Sequence, residues 1–85
     1  MADETEAFGV VLFHTNSAAL RAEKILKNGG LTVKLIPTPR EYSSDCGVAL
    51  RFIWSEESRV RIELDSMSSQ ISSIQKLTPF PLVKL

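Results

Sequence analysis

Ser55-Glu56-Glu57-Ser58-Arg59-Val60-Arg61-Ile62-Glu63-Leu64-Asp65-Ser66-Met67 can be read as a strand or as a helix, and the choice decides the fold. Val60, Ile62 and Leu64 alternate as a half-buried strand would, whereas Val60, Leu64 and Met67 fall on one helical stripe. Two features favour the helix. Ser55-Glu56-Glu57 places acid in a first turn, where the helix dipole stabilises it. Glu57–Arg61 and Arg59–Glu63 are opposite-charge pairs four apart, which face each other only on a helix. Ser68-Ser69-Gln70 then breaks the segment.

The elements on either side are simpler to read. Val48 to Trp54 alternates, with Val48, Leu50, Phe52 and Trp54 on one face and Ala49, Arg51 and Ile53 on the other, which predicts a strand. Ile71 to Leu77 supplies a further strand. Near the start, Phe8-Gly9-Val10-Val11-Leu12-Phe13-His14 is an almost unbroken apolar run, the pattern of a strand buried on both faces. Thr15, Asn16 and Ser17 are all N-cap residue types. Ala18, Ala19, Ala22, Ile25 and Leu26 then form one helical stripe, with Glu23 and Lys27 four apart beside it. Asn28-Gly29-Gly30 stops that helix with residues that tolerate left-handed backbone. Leu31 to Ile36 alternates through Val33 and Leu35 as a second strand, and Pro37 ends it. The order β-α-β-β-α-β is the split βαβ pattern, so the expected fold class is α+β: a ferredoxin-like two-layer sandwich with a four-stranded antiparallel sheet. Residues 1–7 read as an acidic lead, 8–77 as the domain and 78–85 as a proline-broken apolar tail.

Composition narrows the function classes. The chain has 85 residues, 44% of them hydrophobic, and a formal net charge of zero. One core of that size must be held by packing, since a single cysteine offers no disulfide partner. One cysteine and one histidine cannot fill a tetrahedral metal site, so neither metal nor cofactor is expected. With no excess of basic residues, nucleic acid is not an expected partner. No apolar stretch approaches the roughly 20 residues of a membrane span. Met1 to Glu6 lacks the pattern of a secretory signal, and a lone free cysteine suits a reducing compartment, so a soluble cytoplasmic domain is expected.

Chemistry concentrates between Pro37 and Gly47, in Pro-Thr-Pro-Arg-Glu-Tyr-Ser-Ser-Asp-Cys-Gly. In the split βαβ topology the first and third strands are antiparallel neighbours. The end of strand one, the start of helix one and the start of strand three therefore share one edge of the sheet, bringing together His14, the Asn16-Ser17 region and Cys46. A thiolate is the reactive form of cysteine, and a helix N-terminus or a nearby cation, here Arg40 or His14, lowers its pKa. Gly47 leaves room for backbone N–H groups to approach a charged sulfur adduct. Asp45 acts in the opposite direction. The structural alternative is a small residue packed at a strand start, since free cysteines are among the most buried types. His14 could shuttle a proton or simply end a strand, and no carboxylate is assigned to orient it, so a catalytic triad is not supported. Arg40-Glu41 reads first as a solvated turn pair, with an anion contact as the alternative, and Ser43, Ser44 and Asp45 favour turns.

The sheet's other face offers a second function. If Val10, Leu12, Val48, Leu50 and Phe52 face the helices, then Val11, Phe13, Ile36 and Ile53 face outward as an apolar patch. That patch is expected to be covered by a partner subunit, giving a homodimer, or by the tail residues Phe80 and Leu82. On that reading the protein is a non-catalytic interaction or regulatory module acting through its sheet face.

Four stretches carry a resemblance. Phe13-His14-Thr15, Ala19 to Lys24, Val33 to Glu41 and Ser43 to Phe52 resemble the small bacterial family called putative selenium/sulfur (Se/S) carrier protein-like, most specifically in Pro37-Thr38-Pro39-Arg40-Glu41 and Ser43-Ser44-Asp45-Cys46-Gly47. The resemblance covers Phe8 to Leu77. It implies a carrier rather than an enzyme, with Cys46 holding selenium or sulfur as a perselenide or persulfide and Gly47 beside it. It also implies donor and acceptor proteins as partners. Arg40, Ser43, Ser44 and Asp45 match motif positions to which no role is attached.

Overall fold

In the computed structural model, the described residues are 7–39, 42 and 47–77. They form β1 (Phe8–Phe13), α1 (Asn16–Asn28), β2 (Val33–Pro37), β3 (Val48–Ile53), a 3-10 turn (Trp54–Glu56), α2 (Glu57–Glu63), a 3-10 segment (Asp65–Gln70) and β4 (Ile71–Lys76). The class is α+β, with one four-stranded antiparallel sheet in the order β2-β3-β1-β4.

Burial decides the ambiguous segment. Val60 and Leu64 are 0% exposed and Met67 3%, while Ile62 is 69% exposed. A strand would have buried Ile62 together with its two neighbours, and a helix turns it to solvent. Both expected i,i+4 pairs form: Arg59 Nη2 lies 3.5 Å from Glu63 Oε2, and Arg61 Nε pairs with Glu57 Oε2. Glu23 and Lys27 pair likewise on α1, at 3.1 Å. Thr15 is the N-cap of α1, its Oγ1 accepting a hydrogen bond from the Ala18 N–H at 3.1 Å. At the other end the chain turns through Gly30, whose φ of 86° lies in the left-handed region that glycine enters without a Cβ clash.

Each strand differs from the sequence reading by one or two residues at a limit, and two of these shifts have a clear cause. β2 begins at Val33 rather than Leu31, because Leu31 follows the Gly29-Gly30 turn and its N–H is spent on the Leu26 carbonyl at 3.0 Å. Trp54 leaves β3 for the 3-10 turn, and packs half-buried against Phe52 with ring centroids 5.8 Å apart.

β1 lies between β3 and β4 and is buried from Gly9 to Phe13. Its two faces are the reverse of the sequence expectation. Val11 and Phe13 join Leu50, Phe52, Leu26, Val60 and Leu64 in the main core beneath the helices. Val10 and Leu12 join Ala49 on the opposite face, against Ile36, Tyr42 and Leu77. An unbroken apolar run contains no alternation, so its phase cannot be read from the strand itself. Pairing sets it: Val11 opposes Leu50 and Val10 opposes Arg51, so Val11 shares the face of Leu50. The assignments in β3 and at Ile36 agree with the expectation. Phe80 and Leu82, the expected cover, lie outside the described residues.

Candidate functional site

The candidate loop springs from the end of β2 and the start of β3. Pro37 opposes Val48 in the ladder, and the next step is a hydrogen bond from the Thr38 N–H to the Gly47 carbonyl at 3.1 Å. Between these two residues, the Tyr42 N–H donates to the Pro39 carbonyl at 3.0 Å. Proline is tolerated at position 37 because β2 is an edge strand.

The expected convergence of elements occurs at one end of the sheet rather than along an edge strand. Leu12 opposes Ala49, so the last residues of β1 and the first of β3 reach the same end, in the two central strands. Gly47, His14 and the Thr15 cap of α1 therefore lie at that end. β4 starts there too, with Ile71 opposite Phe13 and the His14 N–H donating to the Gln70 carbonyl at 3.1 Å. His14 and Gly47 are exposed to solvent. A Cβ at Gly47 would meet none of the described residues within 4 Å.

Cys46, Arg40, Ser43, Ser44 and Asp45, the remaining residues singled out in the sequence, lie outside the described residues. Among the described residues no group of three or more His, Cys, Asp and Glu side chains could hold a metal ion. No described helix is long and apolar enough to cross a membrane. The most enclosed of three described cavities, about 170 Å³, is lined by Phe8, Thr32, Val33, Lys34, Arg51, Phe52 and Ile53, and the other two by residues of α2, the following 3-10 segment and β4. None of the three is lined by His14 or Gly47. At this end of the sheet, the described residues provide a hydrogen bond that joins the end of β2 to the start of β3.

The family model described as Putative Se/S carrier protein-like matches residues 8–76. The chain belongs to that family. No curated protein and no solved structure matches it. The match runs from the first residue of β1 to the last of β4, so the Se/S carrier family unit coincides with the sheet and its helices, and spans Cys46.

Sequence reasoning overlooked Tyr42 and Leu77, which pack on the outer face beside Val10, Leu12 and Ala49. Tyr42 is the single tyrosine and sits within the Cys46 loop. An aromatic residue in an otherwise small, polar segment was the available signal that the loop is pinned to an apolar surface.

Proposed function

We propose that this protein is a carrier of selenium or sulfur, with Cys46 as the atom-bearing residue. The observation that carries the reading is the family match across residues 8–76, which includes the only cysteine of the chain. The base of the loop supports it: Thr38, after edge strand β2, and Gly47, before central strand β3, are joined by a hydrogen bond at the end of the sheet that also carries His14 and the N-terminus of α1.

The chemistry needs a nucleophile and little else. The Cys46 thiolate attacks the outer sulfur of a donor persulfide. A bond forms from Cys46 Sγ to that sulfur, the donor's own S–S bond breaks, and the donor leaves as a thiolate. The proton of the transferred SH stays on the outer sulfur or passes to solvent. No electrons are gained or lost overall, and transfer to an acceptor thiol is the same step repeated. The corresponding selenium transfer forms a perselenide.

Donor and acceptor proteins are therefore the partners, and the protein acts without turnover machinery, in a reducing cytoplasm. The domain extends over residues 8–77, and its strand order and alternating helices support a ferredoxin-like arrangement. Arg40, Ser43, Ser44 and Asp45 precede the thiol in the sequence.

The test is intact-mass spectrometry after incubation with a cysteine desulfurase and cysteine, or selenocysteine for the selenium arm. The wild-type chain gains one chalcogen atom, reversibly with dithiothreitol, and Cys46→Ser gains none. A thiol that stays unmodified by donor and by alkylating reagent in the folded protein overturns the proposal.

A further inference from the structure

The strands carry three cations, Lys34 in β2, Arg51 in β3 and Lys76 in β4, and no carboxylate. Among the described residues every acid, Glu23, Glu56, Glu57, Glu63 and Asp65, lies on a helix or a 3-10 segment. Lys34 and Arg51 are direct partners in the β2–β3 ladder, so their side chains leave the same face of the sheet side by side. Opposed positions of this kind lie about 5 Å apart at Cβ, and like charges there are destabilising. Neither cation joins an ion pair among the described residues, whose three pairs all lie within α1 or α2.

We propose that Lys34, Arg51 and Thr32 form a binding site for the phosphate group of a small phosphate monoester, at the end of the β2–β3 ladder away from Pro37 and Val48.

The pair opens onto a cavity. Both cations, Thr32 and Phe8 line an enclosed hollow of about 170 Å³ at the start of β2 and the end of β3, and no carboxylate lines it. Arg51 is half-buried, and its guanidinium lies 4.5 Å from the centroid of the Phe8 ring. That cation–π contact uses the face of the guanidinium and leaves its in-plane N–H donors for a ligand. Lys34 is exposed and brings a second, mobile charge to the same hollow.

Charge selects the class of ligand. Two cations match a phosphate monoester, which carries about −1.5 to −2 at neutral pH, whereas a carboxylate leaves one of them unmatched. The guanidinium fork fits two phosphate oxygens, the ammonium reaches a third as a point charge, and the Thr32 hydroxyl is a further donor. Size sets an upper limit. A volume of about 170 Å³ is the liquid share of about six waters and falls below the roughly 300–1,000 Å³ of pockets for drug-sized ligands. A phosphate with a short organic tail fits, and a nucleotide does not. Lys34 is three residues from Pro37 along β2, about 10 Å, so the site is distinct from the base of the Cys46 loop at Thr38 and Gly47.

The test titrates the full isotope-labelled chain with inorganic phosphate and with glycerol 3-phosphate, using sodium chloride at equal ionic strength as the control. Both probes are expected to shift the Thr32 and Lys34 amide and Arg51 Nε–H signals saturably, and to raise Tm by several degrees at saturation. Binding should weaken as pH falls through about 6, where the second phosphate proton returns. Lys34→Gln and Arg51→Gln should each lower affinity about tenfold or more. In phosphate-free buffer Lys34→Gln is expected to melt no lower than wild type, because it relieves a like-charge pair. A lower Tm there would mean that a carboxylate of the chain already neutralises the pair, and overturns the proposal. So do signal shifts that sodium chloride reproduces. A response to inorganic phosphate with none to glycerol 3-phosphate overturns the assignment to a monoester.

Discussion

Two glycines separate a tight contact from an empty one, and substituting each by alanine tests the packing of β1. A Cβ on Gly9 would lie 2.5 Å from Phe52 Cζ, 2.5 Å from Trp54 Cε3 and 2.9 Å from Phe52 Cε1. Ordinary carbon–carbon contact is about 3.5–4.0 Å, so the overlap is about 1 Å against two rings at once. The Phe52 ring cannot swing aside freely: it is 1% exposed, stacks on Trp54 and lies in the main core. Overpacking of this kind costs about 1–3 kcal/mol, and the lower unfolded-state entropy of alanine returns about 0.4–1 kcal/mol. A net loss of about 1–2 kcal/mol lowers Tm by roughly 10 °C in a domain of this size. Gly47→Ala is the matched control, since its Cβ meets none of the described residues within 4 Å and its φ is outside the left-handed region. That substitution should stay within about 0.5 kcal/mol of wild type. Thermal melts followed by circular dichroism read both. A Gly9→Ala protein as stable as wild type would refute the close approach of β1 to the ring pair. Equal losses at both positions would assign the effect to glycine flexibility rather than to overlap.

Other substitutions test separate parts of the structure. Thr15→Ala removes the hydroxyl that accepts the Ala18 N–H and should cost about 1 kcal/mol, read as a fall in the midpoint of urea unfolding with an unchanged slope. Gly30→Ala forces a Cβ into a left-handed turn that has open space around it, so its cost of about 1 kcal/mol would come from backbone strain alone, measured by the same melt. Arg59→Ala removes a 3.0 Å hydrogen bond to the Gly29 carbonyl and the Glu63 pair, both exposed, and should shift stability by less than about 1 kcal/mol. Phe13→Asp buries a charge in the main core and should abolish cooperative unfolding, so it cannot serve as a probe of the outer face.

Much of the fold was legible because most elements carry their own punctuation. Asn28-Gly29-Gly30 marks the end of α1, Pro37 marks the end of β2, and the charge pairs on α2 outweigh its strand-like alternation. The exception is β1, where apolar residues fill both faces. Its phase is a property of its partner: Leu50 and Arg51 in β3 differ in polarity, and pairing with them orients Val11 and Val10. The 3-10 turn at Trp54 was illegible for a related reason. Its aromatic side chain fits a strand by propensity, and only packing on Phe52 shows that the backbone has already turned.

For the candidate site, topology and chemistry were legible to different degrees. Antiparallel pairing of β1 with β3 follows from element order alone, and it brings His14 and Gly47 to one end of the sheet. The surroundings of a thiol do not follow from order, because reactivity depends on which N–H groups and charges lie within a few ångströms of sulfur. Tyr42 sharpens the point. It ties the Cys46 loop to the outer cluster through Val10, Leu12 and Ala49, so the loop has two anchors of different kinds: a backbone hydrogen bond between Thr38 and Gly47, and an apolar contact at Tyr42. A hydrogen bond at the base fixes where the loop begins and ends.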